Sequence, residues 1–428
     1  MKRYVAVLLL LAAVSGIQMA GFTLQKHPVV IVSIDTLRAD RVTAAGYERN
    51  ITPHLDEFVN DSYYFENAYA SAPWTLPSHA SIFTGKHNAE IGALSYNQSL
   101  CGSETTFAEV AERNGYRTVS FNGDGAVSAN WNMDQGFDRY VEKSLNLRDN
   151  LPRAGKKLSG MEKPFLLFLH GYDVHSPYVV PGSRPLIYGR NYSGDIIETE
   201  KELEEAVEHS NKSSLYSIYF DRVNFSSKRD VQHLRDMYDN SIYYMDASLG
   251  SFMDRLKRNN LYDRSLVIVF SDHGEEFKEH GKIGHTQLYE ETVRAFLAIK
   301  LPHQDSRKVV KERVELRKVF GVITAAVRGE SLEKIREEVS DLRSRTVYVE
   351  DFEEKAVISG DYKLIVNHFN GTDYELYNLR KDPDETENLA RKKPGIKQEL
   401  LKRLERLPER NYSSYCEPEK LKESLFNR

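Results

Sequence analysis

Aspartate and histidine side chains recur directly after apolar runs that predict buried strands. These side chains are Asp35, Asp173, His175, Asp272 and His273. Carboxylate oxygens and imidazole nitrogens on rigid strand ends are suitable ligands for a divalent cation. Any one of these groups alone is more often part of a turn or a cap. Their joint placement at the carboxyl edge of one sheet, where open α/β sheets bind ligands, favours a metal site.

Thr75 is the candidate nucleophile of the chain. It lies at the start of the segment 74–85, where Pro77 is expected in the first turn of a helix. Threonine is a common N-cap, and the free N–H groups of a helix N-terminus also bind anionic esters. A hydroxyl beside a metal could attack phosphorus or sulfur instead. The sequence therefore predicts an N-cap role for Thr75 that coexists with a nucleophilic one.

The elements that must position these groups alternate between β-branched runs and helical segments. This alternation predicts an α/β fold with a mostly parallel sheet flanked by helices. The runs that predict buried strands are 29–34, 118–121, 165–169, 265–270 and 295–299. The segments that predict helices are 52–58, 105–114 and 230–259. The polar stretch 183–228 is predicted to be a surface insertion that carries substrate specificity.

The chain changes character after residue 301, where charged helical segments precede short β-type runs. We predict a catalytic domain over 28–300 and a smaller α+β subdomain over 301–428. The helices predicted in this subdomain are 309–328, 331–344 and 395–407, and the strands are 346–350, 356–359 and 362–367.

The N-terminus is basic and then apolar, which predicts a signal peptide or an uncleaved membrane anchor over 1–21. Eight Asn-x-Ser/Thr sequons exceed the number expected by chance and favour an exported, glycosylated protein. We therefore expect an extracytoplasmic location, either secreted or anchored. Cys101 and Cys416 are compatible with one disulfide or with two free thiols.

The charge of the chain excludes one class of partner. The formal net charge is -5 over 428 residues, and the isoelectric point is near 6.3. No broad basic field is available to bind phosphate backbones, so no nucleic-acid partner is expected.

Seven motifs, in chain order, resemble those of the sulfatases within the alkaline phosphatase superfamily. They are IDTLRAD over 34–40, TLPSH over 75–79 with TG over 84–85, DVHSPY over 173–178, FSDHGE over 270–275, HTQLYEE over 285–291, YKLI over 362–365 and ELYNL over 375–379. The resemblance covers nearly the whole chain after residue 28. It implies an alkaline-phosphatase-like α/β core, a divalent metal (Ca, Mg, Mn or Zn) and a nucleophile at the Thr75 position.

The resemblance also implies roles for individual residues. The metal ligands it implies are Asp35, Asp272 and His273, with Thr75 as the metal-bound nucleophile. The catalytic histidines are His175 and His285, and the substrate-binding residues are His79 and Arg38. A possible second metal would be held by Asp173, His175 and His285.

Four residues depart from the family pattern. Sulfatases make a formylglycine from cysteine or serine, whereas oxidised Thr75 would be a ketone, so formylglycine is not expected. His79 stands in place of an arginine, His285 in place of a lysine, and Thr36 in place of a metal-binding aspartate. These departures favour a hydrolase or transferase acting on phosphoesters, with a glycan or lipid head group as possible carrier. A true sulfatase and a non-catalytic surface glycoprotein are the alternatives.

Overall fold

The structure is a computed structural model that describes residues 26–92, 95, 98–123, 125–160, 164–212, 214–368, 371–408 and 416. The predicted signal peptide or anchor over 1–21 lies outside these residues, as do the sequon residues Asn97, Asn370 and Asn411. Among the helices that are described, none has the length and the apolar composition needed to cross a membrane.

Fifteen strands are present in the described residues. They are β1 (Val29–Ile34), β2 (Tyr63–Tyr69), β3 (Arg117–Asn122), β4 (Arg139–Glu142), β5 (Phe165–Gly171), β6 (Leu266–Ser271), β7 (Glu276–Phe277), β8 (Ile283–Gly284), β9 (Arg294–Ala295), β10 (Leu297–Lys300), β11 (Lys308–Glu315), β12 (Thr346–Glu350), β13 (Glu354–Ser359), β14 (Tyr362–Asn367) and β15 (Asp373–Asn378).

Helices of both α and 3-10 type connect these strands. The α-helices are α1 (Pro53–Asn60), α2 (Thr75–Thr84), α3 (Asn88–Ile91), α4 (Phe107–Arg113), α5 (Leu147–Gly155), α6 (Glu200–Glu208), α7 (Leu215–Phe220), α8 (Lys228–Arg258), α9 (Glu290–Val293), α10 (Val319–Val327), α11 (Leu332–Asp341) and α12 (Pro394–Leu404). The 3-10 helices are Ala39–Arg41, Thr43–Ala45, Gly125–Val127, Ala129–Trp131, Leu158–Gly160 and Leu316–Lys318.

The large sheet has the strand order β11-β2-β10-β6-β1-β5-β3-β4, with β9 paired to β2. From β6 to β4 all neighbours are parallel, whereas β10 is antiparallel to both of its neighbours. The predicted mostly parallel α/β sheet is therefore confirmed.

Strand β1 lies at the centre of the sheet because all six of its residues are apolar or small and are buried on both faces. Val30 and Val32 pack into the core on the face of α8, while Val29 and Ile31 pack on the opposite face, which α2, α4, α10 and α11 cover. Ile34, the last residue of β1, pairs with the last residues of both β5 and β6. The three strands consequently end at the same level.

The second sheet is small and antiparallel, with the order β12-β13-β14-β15, and α12 packs on it. The prediction of a helix over 309–328 is wrong in its first part, because residues 308–315 form β11, which pairs with β2 in the large sheet. Helices α10 and α11 also pack against the large sheet. The division at residue 301 stays a prediction, although by pairing and packing residues 308–342 belong with the large sheet.

Cys101 and Cys416 form a disulfide, with their Cα atoms 5.3 Å apart. The Ser99 amide donates a hydrogen bond to the carbonyl oxygen of Cys416 at 2.9 Å. The bridge, rather than two free thiols, is therefore the state of this pair, and it ties Cys416 to the body of the large sheet.

Replacing Cys101 or Cys416 by serine is expected to lower the free energy of unfolding by about 4 kcal/mol, because the bridge joins residues 315 positions apart and restricts the unfolded chain. Urea unfolding of both single variants and of the double variant measures this loss. Since each single variant breaks the same bond, the double variant should be about as stable as either one. Single variants as stable as wild type would contradict the bridge.

Candidate active site

The C-terminal ends of β1 and β6 bring two aspartates and a histidine together. Ile34 pairs with Ser271 in the parallel register, so the next residues, Asp35 and Asp272, leave the sheet side by side. The ligand atoms of Asp35, Asp272 and His273 all lie within 4.8 Å of one another, and all three side chains are completely buried. The predicted convergence of these strand ends is therefore present.

Thr75 reaches the same cluster from the first residue of α2. Its hydroxyl donates to Asp35 Oδ2 at 3.2 Å and lies 3.4 Å from His273 Nε2. Pro77 lies in the first turn, as predicted, but the N-cap residue is Trp74, and no side chain caps the helix. The N-cap role predicted for Thr75 is wrong, because its hydroxyl points to the carboxylate–imidazole cluster.

The donor set of this cluster fits a divalent cation. Asp35 Oδ1 and Asp272 Oδ2 are buried without a hydrogen-bond partner. Nδ1 of His273 lies 2.9 Å from the carbonyl oxygen of Gly274 and donates to it, which leaves the Nε2 lone pair available. Burial raises the pKa of Asp272 to about 7, while burial and the neighbouring Asp272 raise the pKa of Asp35 well above its usual range. A bound cation would relieve both the desolvation and the repulsion.

Thr36 shapes the backbone between the two aspartates. Its φ is 55°, which is strained for a β-branched residue, and its amide donates to Asp272 Oδ1 at 3.3 Å. The hydroxyl of Tyr238 fixes this turn by donating to the Thr36 carbonyl oxygen at 2.6 Å. The segment is thus held in a conformation that aims Asp272 at the cluster.

His79 lies behind Thr75 and is completely buried. Its Nδ1 donates to the Thr75 carbonyl oxygen at 2.9 Å, and its Nε2 accepts from the Ser33 hydroxyl at 2.8 Å. Burial lowers the pKa of His79 to about 4, so the ring is neutral. Because both ring nitrogens are engaged within the core, His79 positions Thr75. The sequence had suggested instead that His79 faces a substrate.

His170 was not predicted as a site residue, although it begins the polar run that follows the predicted strand 165–169; in the structure it is the second-last residue of β5. It is completely buried, its ring centroid lies 4.7 Å from that of His79, and its Nε2 lies 3.6 Å from Asp35 Oδ2. Burial holds its pKa well below the usual value. Because it directly follows the continuous apolar run 165–169, the sequence gave no separate signal that its ring turns toward Asp35.

His175 and His285 stand side by side on the outer side of His273. The ring centroid of His285 lies 4.6 Å from that of His273 and 5.2 Å from that of His175. Burial, and then the neighbouring His285, lower the pKa of His175 to about 4. Burial also disfavours the charged form of His285, but Glu275, whose Oε1 lies 3.1 Å from Nδ1, raises its pKa above the usual value. The two rings therefore differ in proton affinity, which is the arrangement of an acid and a base.

The possible second metal site of Asp173, His175 and His285 is not formed in the described residues. The carboxylate of Asp173 accepts from the amides of Leu147 and Arg148 at the start of α5, and it pairs with Arg148 Nη1 at 3.4 Å. The side chain of Asp173 therefore caps α5 instead of joining the two histidines. The sequence could not show this, because α5 itself was not predicted.

A different group of metal-ligand type is formed by His280, Glu291 and Glu385. Lys363 already supplies a cation there, with its Nζ 3.0 Å from Glu385 Oε1 and 3.1 Å from Glu290 Oε1. His280 Nε2 lies 3.4 Å from Glu291 Oε2 as an ion pair. Lys363 and these carboxylates join the small sheet to α9.

Arg38 is buried beside the site, but its guanidinium is committed to protein groups. It pairs with Asp40 and with Glu279, each at 2.8 Å, and it donates to the carbonyl oxygen of Glu275 at 3.0 Å. Arg38 thereby holds the backbone of the residue that pairs with His285. Its predicted contact with substrate stays a prediction.

Asp272→Asn tests the charge balance of this cluster. In protein stripped of divalent cations, the variant is expected to be more stable than wild type by about 2 kcal/mol above pH 7, because one of two buried, repelling carboxylates is gone. The folded-state pKa values of both carboxyls are raised, so metal-free wild type should lose stability as the pH rises through about 7. Urea unfolding with and without chelator measures both effects.

The same variant should bind far less metal, which elemental analysis measures. Asp254→Asn, at an exposed position of α8, is the control and should change neither metal content nor stability. A destabilised metal-free Asp272→Asn protein would contradict the repulsion between the two carboxylates.

Comparisons with known proteins agree with this geometry. The family model Sulfatase matches residues 27–321. Arylsulfatase K from Homo sapiens is 24% identical over 443 residues, covering 88% of this chain and 81% of the relative.

Two solved structures share the fold. BT4656 in complex with its substrate D-glucosamine-2-N,6-O-disulfate superposes with a TM-score of 0.72 at 18% identity, covering 89% of this chain and 97% of that chain. The phosphonate monoester hydrolase of Agrobacterium radiobacter superposes with a TM-score of 0.69 at 17% identity, covering 89% and 95%. With the family model spanning more than half of its length, this chain belongs to the sulfatase family.

Proposed function

We propose that this chain hydrolyses sulfate esters, with Thr75 as an unmodified nucleophile and a divalent cation held by Asp35, Asp272 and His273. The observation that carries the proposal is the Thr75 hydroxyl, 3.2 Å from Asp35 and 3.4 Å from His273, beside carboxylate oxygens that have no hydrogen-bond partner. Sulfatase family members use a divalent metal, and relatives of this chain are named as sulfatases.

Different side chains of the site act in different steps of the proposed reaction. When bound, the cation would lower the pKa of the Thr75 hydroxyl and neutralise charge that develops on the ester oxygens. The Thr75 hydroxyl gives its proton to Asp35 Oδ2, which accepts its hydrogen bond. The Thr75 oxygen forms a bond to sulfur, and the bond from sulfur to the alcohol oxygen breaks. Protonated His285 gives its proton to the departing alcohol. Water then attacks sulfur, the bond from sulfur to the Thr75 oxygen breaks, and Asp35 returns the proton to that oxygen. Neutral His285, which has lost its proton to the alcohol, takes the proton that the water releases.

The charge of the site supports a substrate with a single negative charge. A divalent cation and protonated His285 supply three positive charges, and Asp35, Asp272 and Glu275 supply three negative ones. A site with this balance attracts a sulfate monoester, which carries one negative charge, without leaving a large excess charge buried. A phosphate monoester carries between about 1.5 and 2 negative charges at neutral pH and fits less well.

A phosphoester substrate is the second candidate, because Thr75 cannot form the aldehyde that sulfatases use. Esters with a single negative charge, such as phosphodiesters and phosphonate monoesters, are compatible both with a threonine nucleophile and with the charge balance of the site. The fold shared with a phosphonate monoester hydrolase is compatible with this chemistry. Transfer to an acceptor alcohol on a glycan or a lipid head group would use the same first step.

Turnover of aryl sulfate, aryl phosphate, aryl phosphonate and a phosphodiester separates these candidates. Wild type is expected to favour the aryl sulfate, and Thr75→Ala should reduce kcat by about 10³-fold or more, whereas Thr75→Ser should retain much of it. Trapping of a sulfated Thr75 peptide by mass spectrometry would identify the intermediate. Turnover of phosphoesters alone would favour the second candidate, and no turnover of any ester would support a non-catalytic binding protein.

Loss of the acid is expected to affect kcat rather than KM. His285→Gln should lower kcat by about 100-fold, because it removes the imidazole whose charged form Glu275 favours and which protonates the departing alcohol. Glu275→Gln should also lower kcat, since it removes the carboxylate that raises the pKa of His285. His209→Gln, at the exposed residue that follows α6, is the control. Esters with very acidic alcohols should be less affected, and an equal loss for all alcohols would contradict the assignment.

We also propose an extracytoplasmic location for this chain. The asparagines of all five sequons within the described residues are exposed, which supports access by a glycosyltransferase; they are Asn50, Asn60, Asn191, Asn211 and Asn224. The disulfide between Cys101 and Cys416 is compatible with an oxidising compartment. Fractionation of the native host and digestion with an N-glycosidase test this proposal.

A further inference from the structure

The surface insertion 183–228 reaches the site through α7, which is anchored beside His175. Tyr219 of α7 is completely buried, and its hydroxyl donates to the carbonyl oxygen of Tyr178 at 3.1 Å. The two rings meet edge to face, with centroids 6.3 Å apart. Ile218 is also buried, so α7 is fixed to the segment that follows His175.

Tyr216 precedes Tyr219 by one helical turn and lies over His175. Its hydroxyl lies 3.1 Å from both ring nitrogens of His175. Nδ1 of His175 donates to the Ser176 carbonyl oxygen at 2.8 Å, so Nε2 is the nitrogen left to accept the hydroxyl proton of Tyr216. The ring of Tyr216 nevertheless stays 46% exposed.

Five side chains in contact form a continuous series from Thr75, the proposed nucleophile, to the surface. Thr75 contacts His273, whose ring lies next to His285, which lies next to His175 and then Tyr216. The first four members are largely or completely buried, whereas Tyr216 faces solvent. An ester whose sulfur or phosphorus lies at Thr75 extends its alcohol part outward along this series, because the opposite side is the closed core of the sheet.

We propose that Tyr216 is a specificity residue whose ring stacks against a ring, aryl or sugar, in the alcohol part of the ester, while its hydroxyl orients His175. The proposal rests on the proposed function, because it assumes that the ester binds at Thr75. Tyr219 and Ile218 anchor α7 to the core. The ring of Tyr216 stacks on that of Phe220 in the same helix, with centroids 6.2 Å apart. An exposed aromatic ring beside a buried base provides contact area at little cost in side-chain entropy.

Binding of esters to the Thr75→Ala variant tests the stacking role of Tyr216 without requiring turnover. Titration calorimetry compares 4-nitrophenyl sulfate with ethyl sulfate, using protein with the divalent cation it carries after purification. The ring-bearing ester should bind more tightly, and adding Tyr216→Ala should lower this preference by about tenfold. Adding Tyr216→Phe should leave the preference unchanged. Val309→Ala, at a position of β11 that is 43% exposed, is the control for loss of an exposed apolar group.

The ¹⁵N NMR signals of the His175 ring test whether the Tyr216 hydroxyl orients that ring. Tyr216→Phe should shift these signals, whereas Val309→Ala should not. An unchanged ring preference in Tyr216→Ala, or no binding of either ester, would overturn the specificity role. Unchanged His175 signals in Tyr216→Phe would overturn the orienting role. A wild type that turns over no ester, yet prefers the ring-bearing ester in a way that depends on Tyr216, would overturn the proposed hydrolysis but not the specificity role of Tyr216.

Discussion

The burial of two carboxylates at one sheet edge is the constraint on which the site depends. Parallel pairing of β1 with β6 places Asp35 and Asp272 together, and each has an oxygen without a hydrogen-bond partner. Isolated buried carboxylates cost several kcal/mol each, and the cost is offset only by protons or a cation. The cluster of Asp35, Asp272 and His273 could hold a divalent cation, and a bound cation would offset this cost.

The histidines around these two carboxylates differ in how deeply they are buried. His79 and His170 are completely buried, and burial lowers the pKa of both rings, so neither adds a positive charge that would compete with a cation. His79 also holds the Thr75 carbonyl oxygen through its Nδ1. His285 lies farther out and gains Glu275 as a partner, which favours its charged form. Proton donors and acceptors thus stand on the substrate side, and uncharged positioning groups stand on the core side.

Much of this arrangement could be predicted from the sequence, because β-branched runs such as 29–34 are typical of strands buried on both faces. The failures have local causes. Residues 308–315 mix charged residues with three valines without a regular period, which fits a one-sided strand as well as a helix. The N-cap role of Thr75 and the metal role of Asp173 both failed because the tertiary partners of these side chains, Asp35 and α5, are not visible in local sequence.

The departures from the sulfatase pattern compensate one another in charge. Thr36 removes one negative charge where the family carries an aspartate, and His79, neutral because it is buried, removes one positive charge where the family carries an arginine. His285 keeps the positive charge of the family lysine through its contact with Glu275. The net charge of the site is therefore unchanged although three charged positions differ. The departures are therefore compatible with the charge balance on which the proposed preference for a singly charged ester rests.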